Sequence, residues 1–267
     1  MNGGQQQAYD RGTNIFSPDG RLYQVEYARE AVRRGSVSVG VRARDGVVLA
    51  AKKAVRSPLM EATAIEKLHK IDDHIGVASA GHVADARRLV DFGRRRAQTD
   101  RLRYGEPMGT DPFTKAMVDH VQEFTQQGGA RPFGAALLIG GVDPRSTNSS
   151  SGPGPRDGVE PTTSEDEPPQ PRLFETDPSG TFYEWQATAI GAEDGTVREY
   201  LEANYDPQGS IQSGIELALS ALAESEEGGL SPEEVDVATV APTYQALGIE
   251  ERRDTLESLD LLDEQAS

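Results

Sequence analysis

The order of the predicted strands and helices constrains the fold of this chain more than any other feature. Alternating apolar residues such as Val37, Val39 and Val41 indicate a strand, and apolar residues three to four apart over 21–34 indicate an amphipathic helix. The sequence then predicts strands, a helix pair, strands, a second helix pair and a last strand, an order typical of an α+β domain. The strands are expected near 37–41, 47–51, 75–81, 133–142, 172–176, 181–189 and 235–241, and the helix pairs near 83–104 with 112–127 and 194–204 with 210–224.

Residues 143–171 do not fit this order. They contain seven prolines, six acidic residues, two arginines and one aliphatic residue, Val159. Because loops of this length are uncommon inside compact domains, we interpret the stretch as a disordered acidic insertion. The expected organisation is a flexible arm over 1–16, one domain over 17–249 that carries the insertion, and an acidic C-terminal tail over 250–267. Leucines at helical spacing leave both a short helix and disorder open for that tail.

The charge and composition exclude several classes of partner. A net charge of −17 argues against nucleic acid, because phosphate binding needs a positive surface. Lysine is scarce among the 27 basic residues, and an acidic, lysine-poor chain indicates a salt-adapted cytoplasm in which screening reduces self-repulsion. No apolar run approaches the roughly 18 residues of a membrane span. The polar N-terminus lacks the features of a secretory signal, so a cytoplasmic protein without a membrane partner is expected.

Known catalytic and metal-binding signatures are not found in the sequence. The chain has no cysteine and no Gly-rich loop ending in Gly-Lys-Ser/Thr, which excludes thiol chemistry and a nucleotide-binding P-loop. The stretch around Ser79 has Val77 where a nucleophile elbow needs glycine. His69 and His74 flank two aspartates, but their spacing matches neither a helix face nor a strand face. We therefore expect no cofactor and no metal.

One long segment carries a specific resemblance to a known family. Residues 9–32, YDRGTNIFSPDGRLYQVEYAREAV, closely resemble the N-terminal signature of proteasome α subunits of the archaeal type, and the acidic composition favours the haloarchaeal branch. Further segments similar to this family lie at 63–67, 81–87, 131–134 and 177–180. The resemblance spans nearly residues 8–245 without the insertion. It implies a four-layer αββα sandwich of the Ntn-hydrolase type.

The resemblance also implies a function. A proteasome α subunit cleaves no peptide bond itself. Seven α subunits form an outer ring, stack on a ring of β subunits, admit unfolded proteins and dock an AAA ATPase activator through the C-terminal tail of the ATPase. We expect the same partners here.

The resemblance assigns two groups of site residues. Tyr9, Asp10, Pro18 and Tyr27 match the positions that hold the N-terminal arms at the pore. Two phenolic hydroxyls and a carboxylate can form a hydrogen-bonded cluster, and Pro18 restricts the turn that aims the arm.

The second group forms the activator-docking pocket. Lys67 matches a lysine that lies between neighbouring subunits and pairs with the terminal carboxylate of the ATPase tail. An ammonium group is a suitable carboxylate receptor. Glu26 and Gly35 match other positions of this pocket.

Two alternative functions remain open. The catalytic relatives in this fold use an N-terminal threonine whose free amine is the general base. Cleavage between Gly35 and Ser36 would free Ser36 as the nucleophile of an autocatalytic amidohydrolase, although it would discard the signature helix. The second alternative is a ring-forming scaffold without a protease.

The helix predicted after residue 82 differs in charge from the rest of the chain. Residues 83–105 contain seven arginines and three aspartates. This basic helix is interpreted either as a face toward an acidic neighbour in the stack or as a solvated face with Asp–Arg pairs inside the helix.

Overall fold

The computed structural model describes residues 23–57, 59–126, 131–143, 170–226 and 228–263. Within these ranges the helices are α1 (Tyr23–Arg33), α2 (Val83–Tyr104), α3 (Thr110–Gln126), α4 (Asp194–Asn204), α5 (Ile211–Ala223) and α6 (Ile249–Ser258). The strands are β1 (Ser38–Arg42), β2 (Val47–Lys52), β3 (Leu68–Asp72), β4 (Ile75–Gly81), β5 (Ala135–Val142), β6 (Pro171–Thr176), β7 (Phe182–Glu184), β8 (Ala187–Ile190), β9 (Val235–Val240) and β10 (Tyr244–Ala246).

The strands form two antiparallel sheets of five strands each. The first sheet has the order β10-β9-β2-β1-β8, and the second has the order β3-β4-β5-β6-β7. Neighbours in each sheet are mostly consecutive in the chain, as hairpins require. β9, which pairs with β2, follows the helix pair α4 and α5, and that pair packs on the outer face of the first sheet.

Three apolar cores hold four layers together. One core joins the first sheet to α4, α5 and α6 and includes Leu219 and Leu256. A second core joins the other sheet to α2 and α3 and includes Leu89 and Phe113. The third core lies between the two sheets and includes Leu138. The expected αββα sandwich of the Ntn-hydrolase type is therefore confirmed.

Helix α2 shows how local sequence sets an element. Its buried apolar residues Ala86, Leu89, Val90 and Ala97 recur on one face, whereas its arginines lie on other faces. Gly105 ends the helix in the left-handed region, at φ 78°, which favours glycine. The structure gives α2 the bounds that the sequence predicted. No helix among the described residues has both the length and the apolar character needed to cross a membrane.

One predicted strand was wrong. The stretch near 181–189 was expected to be a single strand, but it forms β7 in one sheet and β8 in the other. The chain changes sheets at Trp185 and Gln186. The Trp185 N–H donates to the Leu173 carbonyl of β6, whereas the Gln186 carbonyl accepts from the Arg42 N–H of β1. The alternation of side chains along 181–189 does not reveal that the chain pairs with one sheet before Trp185 and with the other sheet after it.

The boundary expected after residue 249 also needs correction. Residues that were assigned to a tail over 250–267 form α6, and Leu256 on that helix is fully buried. After α6, the Leu230 N–H donates to the Leu261 carbonyl at 2.7 Å, and the Asp263 N–H donates to the Leu230 carbonyl at 3.2 Å. The domain therefore extends to at least Asp263, since apolar burial outweighs the acidic composition of the segment.

The insertion is shorter than expected at both ends. Asp143, assigned to it from the sequence, accepts hydrogen bonds from the backbone N–H and the hydroxyl of Thr110 at the start of α3. Pro171 begins β6 and pairs with Val142. The rest of the expected insertion, 144–169, and the arm expected over 1–16 lie outside the described residues.

Candidate functional site

Helix α1 leads the signature segment into the body of the domain. Its buried residues Val25, Ala28 and Val32 lie on one face, at helical spacing, and the helix packs against β4 and β5. Gly35 then passes very close to β4: a Cβ atom at this position would lie 2.3 Å from the backbone nitrogen of Gly81. Only glycine fits this approach. This contact thus fixes the backbone position just before β1, and Ser36 is the residue after Gly35.

Lys67 lies beside Ser36 and is almost completely buried, with 7% of its surface exposed. Its Nζ donates to the Ser36 carbonyl at 2.5 Å and contacts the Ser36 hydroxyl at 2.9 Å. It also donates to the carbonyls of Val37 and Lys52, both at 3.0 Å. The structure therefore brings together two of the three residues predicted for the docking pocket, Lys67 and Gly35.

This set of oxygens determines what Lys67 can do chemically. An ammonium has three N–H donors and no acceptor, so it can serve all three carbonyls at once. A neutral amine would leave one carbonyl without a donor. Burial works in the opposite direction and lowers the pKa of Lys67 to about 7, while the nearby charge of Asp236 raises it. Near neutral pH, hydrogen bonds to the carbonyls thus favour the ammonium form of Lys67, whereas burial disfavours its charge.

Glu26, the third predicted pocket residue, lies away from Lys67. Its carboxylate contacts Arg29 at 2.7 Å, one helical turn along α1. Glu26 precedes Gly35 by nine residues, which corresponds to roughly 13 Å along a helix axis. Within one subunit the structure therefore does not join Glu26 to the Lys67 site.

Arg29 connects α1 to the turn between β6 and β7. Its guanidinium donates two hydrogen bonds to the Asp177 carboxylate, at 2.9 Å and 3.0 Å. Burial would raise the pKa of Asp177, but hydrogen bonds from Arg29 and Ser179 outweigh that effect and hold it below its usual value. Sequence reasoning missed this pair, although Asp177 begins a segment that had been noted for its resemblance. We call Glu26, Arg29 and Asp177 the α1 clamp.

Two other segments of the resemblance also meet. Asp85, on α2, accepts from Arg131 at 2.6 Å and 2.8 Å and from the Gly134 N–H at 2.9 Å. Burial raises the pKa of Asp85, yet these donors lower it overall. The pair joins the start of α2 to the start of β5, beside the close contact of Gly35 with Gly81. The sequence showed both motifs but not their contact.

A polar cavity of about 210 Å³ opens next to the α1 clamp. Its charged lining residues are Arg29, Arg33, Glu175, Asp177, Asp194 and Arg198. Burial raises the pKa of Glu175, although Arg198 and the Thr188 hydroxyl oppose that shift. The cavity has mixed charge, so its chemistry favours a polar partner over an apolar one.

Of the four predicted gate residues, the structure describes only Tyr27. Tyr9, Asp10 and Pro18 lie outside the described residues. Tyr27 lies on α1 with 53% of its surface exposed. The proposed hydrogen-bonded cluster therefore stays a prediction. Among the described residues, no three His, Cys, Asp or Glu side chains are grouped in a way that could hold a metal ion.

Comparison with known families and proteins adds to this geometry. A family model described as "Proteasome subunit" matches residues 32–149 and 163–240, and a second family model, for the N-terminal signature of A-type proteasome subunits, matches residues 9–31. The chain is 56% identical to the proteasome alpha 1 subunit of Haloarcula marismortui, over 97% of this chain and 92% of the relative. It is 55% identical to the proteasome alpha subunit of Natronomonas pharaonis and 56% identical to the proteasome alpha 1 subunit of Haloferax volcanii, in each case over 97% of this chain and 94% of the relative.

Proposed function

Because the chain belongs to the proteasome subunit family, as an α subunit of the haloarchaeal type, we propose that it forms the seven-membered outer ring of a 20S core and controls the entry of unfolded proteins. This ring stacks on a ring of β subunits in the cytoplasm. The observation that carries the proposal is the signature segment itself: it continues into α1, which packs against β4 and β5 and is held by the α1 clamp. Because α1 is anchored in this way, it gives the N-terminal arm a fixed starting point.

The subunit itself performs no peptide cleavage. The nitrogen of Ser36 is an amide that follows Gly35, so it has no usable basicity. Lys67 could replace it as a base only in the neutral form, with its lone pair toward the Ser36 hydroxyl. In that form two N–H groups would remain for three carbonyls, whereas the ammonium serves all three. The contact between Lys67 and Ser36 therefore supports a structural and docking role over the amidohydrolase alternative.

The gate consists of the N-terminal arm and the exposed face of α1. Tyr27 lies on that face with about half of its surface exposed, and the arm residues Tyr9 and Asp10 of the same or a neighbouring subunit contact this exposed part. The α1 clamp supports this role, because two hydrogen bonds from Arg29 to a turn of the second sheet limit how far α1 can shift. Pro18, for which the sequence predicts a turn, aims the arm.

Lys67 receives the terminal carboxylate of the activator tail. Three of its four oxygen neighbours are backbone carbonyls, which no side-chain rotation can move away. The Ser36 hydroxyl is the only neighbour among these four that can turn away by a side-chain rotation. In docking, the carboxylate therefore takes the place of that hydroxyl and shares an ammonium N–H with one of the carbonyls, because the three carbonyls already use all three donors. Glu26 contributes from a neighbouring subunit, because within one subunit it lies far from Lys67.

One experiment tests the central proposal. The chain is co-expressed with the tagged β subunit of the same organism, and the purified complex is imaged and assayed with a peptide and an unfolded protein. We expect stacked seven-membered rings, and peptidase activity only when β subunits are present. A chain that forms rings but never binds β would support the scaffold alternative. Peptidase activity of the chain alone that disappears in Ser36→Ala would establish the amidohydrolase instead.

The gating role has its own test. Deletion of residues 2–13 removes the arm and leaves α1 and its contacts intact. Assembled particles should then degrade an unfolded protein without ATP or activator. Particles that stay as latent as the full-length form would contradict a gate at this position.

A further inference from the structure

One carboxylate, that of Asp236 on β9, is shared by several cations at one end of the first sheet. The Nζ of Lys53, just after β2, lies 2.9 Å from an oxygen of this carboxylate. The guanidinium of Arg252, on α6, lies 2.7 Å from the same oxygen. Lys53 is almost completely buried, as Lys67 is. The position of Lys67 relative to this group follows from the strand register.

The register places Lys67 and Asp236 at the same end of the space between the two sheets. Asp236 pairs with Ala51 across β9 and β2, so their side chains share a face. That face is turned toward the second sheet, because the two residues that flank Asp236 in β9 pack into the outer core. Lys67 precedes β3 of the second sheet and reaches across to the Lys52 carbonyl, one residue from Ala51.

The charges at this end of the sheets are unequal. None of the ion pairs within the described part of the chain includes Lys67, and of Lys53, Lys67, Asp236 and Arg252 only Asp236 is acidic. Burial lowers the pKa of Lys67, and the charge of Asp236 opposes that effect. Tyr244, on β10, adds no charge here, because burial raises its pKa to about 12. The ammonium of Lys67 therefore depends on a carboxylate that two other cations also contact.

We propose that Asp236 is a positioning residue for the activator tail: its carboxylate keeps Lys67 in the ammonium form, and Lys53 and Arg252 hold that carboxylate in place. The proposal rests on the docking role of Lys67 put forward above. A buried ammonium without a nearby opposite charge would lose its proton. Lys53 and Arg252 also have a second effect. Together with Lys67 they exceed the single carboxylate by two charges, so an incoming tail carboxylate meets net positive charge.

Asp236→Asn should change tail binding in a way that depends on pH. At about pH 8 a larger fraction of Lys67 would be neutral than in the wild type, so the tail should bind about threefold more weakly or worse. At about pH 5.5 Lys67 is largely charged in both proteins. The variant then lacks only the repulsion between Asp236 and the tail carboxylate, so it should bind at least as tightly as the wild type.

Lys53→Met should shift the pH profile in the opposite direction. It removes a cation that competes for Asp236 and leaves Arg252 to hold the carboxylate. Lys67 should then stay charged, and bind the tail, up to a higher pH. This variant leaves no buried cation without a partner, so the proposal can be tested even if Asp236→Asn does not assemble.

Glu226→Gln is the matched control. Glu226 also contacts a lysine at this end of the first sheet, Lys52. The Lys52 side chain lies on the opposite face of the sheet from Ala51 and Asp236, because side chains alternate along β2. Loss of the Glu226 charge should therefore leave the pH profile of tail binding unchanged.

Two measurements on assembled particles of each variant test the proposal. The C-terminal peptide of the AAA ATPase of the same organism is titrated at both pH values. Without this peptide, particles react with trace acetic anhydride over a range of pH, and mass spectrometry quantifies the modification of Lys67, which reacts only as the free amine. The pH midpoint of this reaction should fall in Asp236→Asn, rise in Lys53→Met and match the wild type in Glu226→Gln.

The outcomes separate the proposal from the proposed function. Equal midpoints in all four proteins would overturn the proposal. Weaker binding of the peptide to Asp236→Asn by the same factor at both pH values would also overturn it, because Asp236 would then have only a structural role. Equal peptide affinity of wild type and Lys67→Ala would instead contradict the docking role of Lys67, while the labelling would still report on Asp236.

Discussion

Lys67 and four arginines of α2 place positive charge in very different surroundings. Lys67 is buried and has four oxygens within 3.0 Å, three of them backbone carbonyls of its own subunit. Arg87, Arg88, Arg95 and Arg103 are exposed and form no ion pair with a carboxylate within the described residues. The first cation therefore has its ligands inside the fold, whereas the second set has donors left for another molecule.

This difference shows how a single subunit can separate stability from assembly. A cation that serves backbone carbonyls is part of the fold, so a ligand that reaches it must compete with the protein's own groups. A cation that points outward adds little to the stability of the isolated subunit. We therefore expect changes at Lys67 to alter both stability and docking, and changes at the exposed arginines of α2 to alter the stability of the isolated subunit very little.

The largest effect is expected for Lys67→Ala. The carbonyls of Ser36 and Lys52 would lose their donor, whereas the Val37 carbonyl keeps the Lys52 N–H. An unsatisfied buried polar group costs about 1–3 kcal/mol, so the free energy of unfolding should fall by about 2 kcal/mol or more. The affinity for the activator tail should fall by about 30-fold or more, the equivalent of at least 2 kcal/mol. Denaturant unfolding and a titration with the tail peptide measure the two effects.

Lys70→Ala is the matched control for that change. Lys70 is half-exposed and pairs with Asp73 at the surface, so its removal should cost less than about 1 kcal/mol and leave docking unchanged. Lys67→Arg keeps the charge in a broader group and should restore docking only in part. Equal tail affinity of wild type and Lys67→Ala would mean that the docking site was assigned wrongly.

A pH titration sharpens the same contrast, because stability and docking should change in opposite directions. The pKa of Lys67 falls from 10.5 to about 7 on folding, so between these values the unfolded chain binds more protons. The free energy of unfolding should therefore rise with pH from about 7, by up to about 1.4 kcal/mol per pH unit. Tail affinity should fall over the same range, by up to about tenfold per unit, because a carboxylate favours the charged ammonium.

Comparison with Lys67→Ala isolates both effects from those of other titrating groups. The variant should show neither the rise in stability nor the loss of affinity that belongs to Lys67. A wild-type affinity that stays constant between pH 7 and about pH 9 would exclude Lys67 as the carboxylate receptor.

A smaller effect is expected for Asp177→Asn, which weakens the α1 clamp. The asparagine retains one acceptor for Arg29 but loses the charge, so stability should fall by about 1–2 kcal/mol. Because α1 would then shift more easily, particles should also degrade unfolded protein slightly faster without activator. Glu30→Gln is the control, since the exposed Glu30–Arg34 pair lies on the same helix and should contribute less than about 0.5 kcal/mol. If both variants degrade unfolded protein equally slowly without activator, the α1 clamp does not contribute to gating.

The smallest effect is expected for deletion of residues 145–169. A shorter loop costs less entropy to close, so the free energy of unfolding should change by less than about 1 kcal/mol. Ring assembly and peptidase activity should remain. Loss of rings would show that this stretch is a structural element, and the interpretation as an insertion would be wrong.

The sequence was sufficient for the elements whose pattern is local. The period of buried residues predicted α2 and α4 with the bounds that the structure shows, and the long signature segment indicated the family. Strand pairing was harder, because alternation over 181–189 does not reveal that the chain leaves one sheet for the other. The burial of Leu256 was hidden among acidic neighbours.

The surroundings of the site residues could be predicted even less. Lys67 takes its oxygens from Ser36, Val37 and Lys52, which only the registers of separate strands bring together. The contact between Arg29 and Asp177 joins residues 148 positions apart. A resemblance named Lys67 and Gly35 as residues of one pocket, but it gave no hint that the lysine is already bound by its own subunit.

The pairing of Val142 with Pro171 has a practical consequence for work with this protein. The chain leaves β5 and returns in β6 at directly paired positions, so the two ends lie about 5 Å apart. A foreign domain whose own termini are close together could be grafted between them without stretching either strand. In the proposed ring of seven copies, such a graft would supply seven equivalent attachment points for fluorophores or affinity handles, at a site separate from both α1 and Lys67.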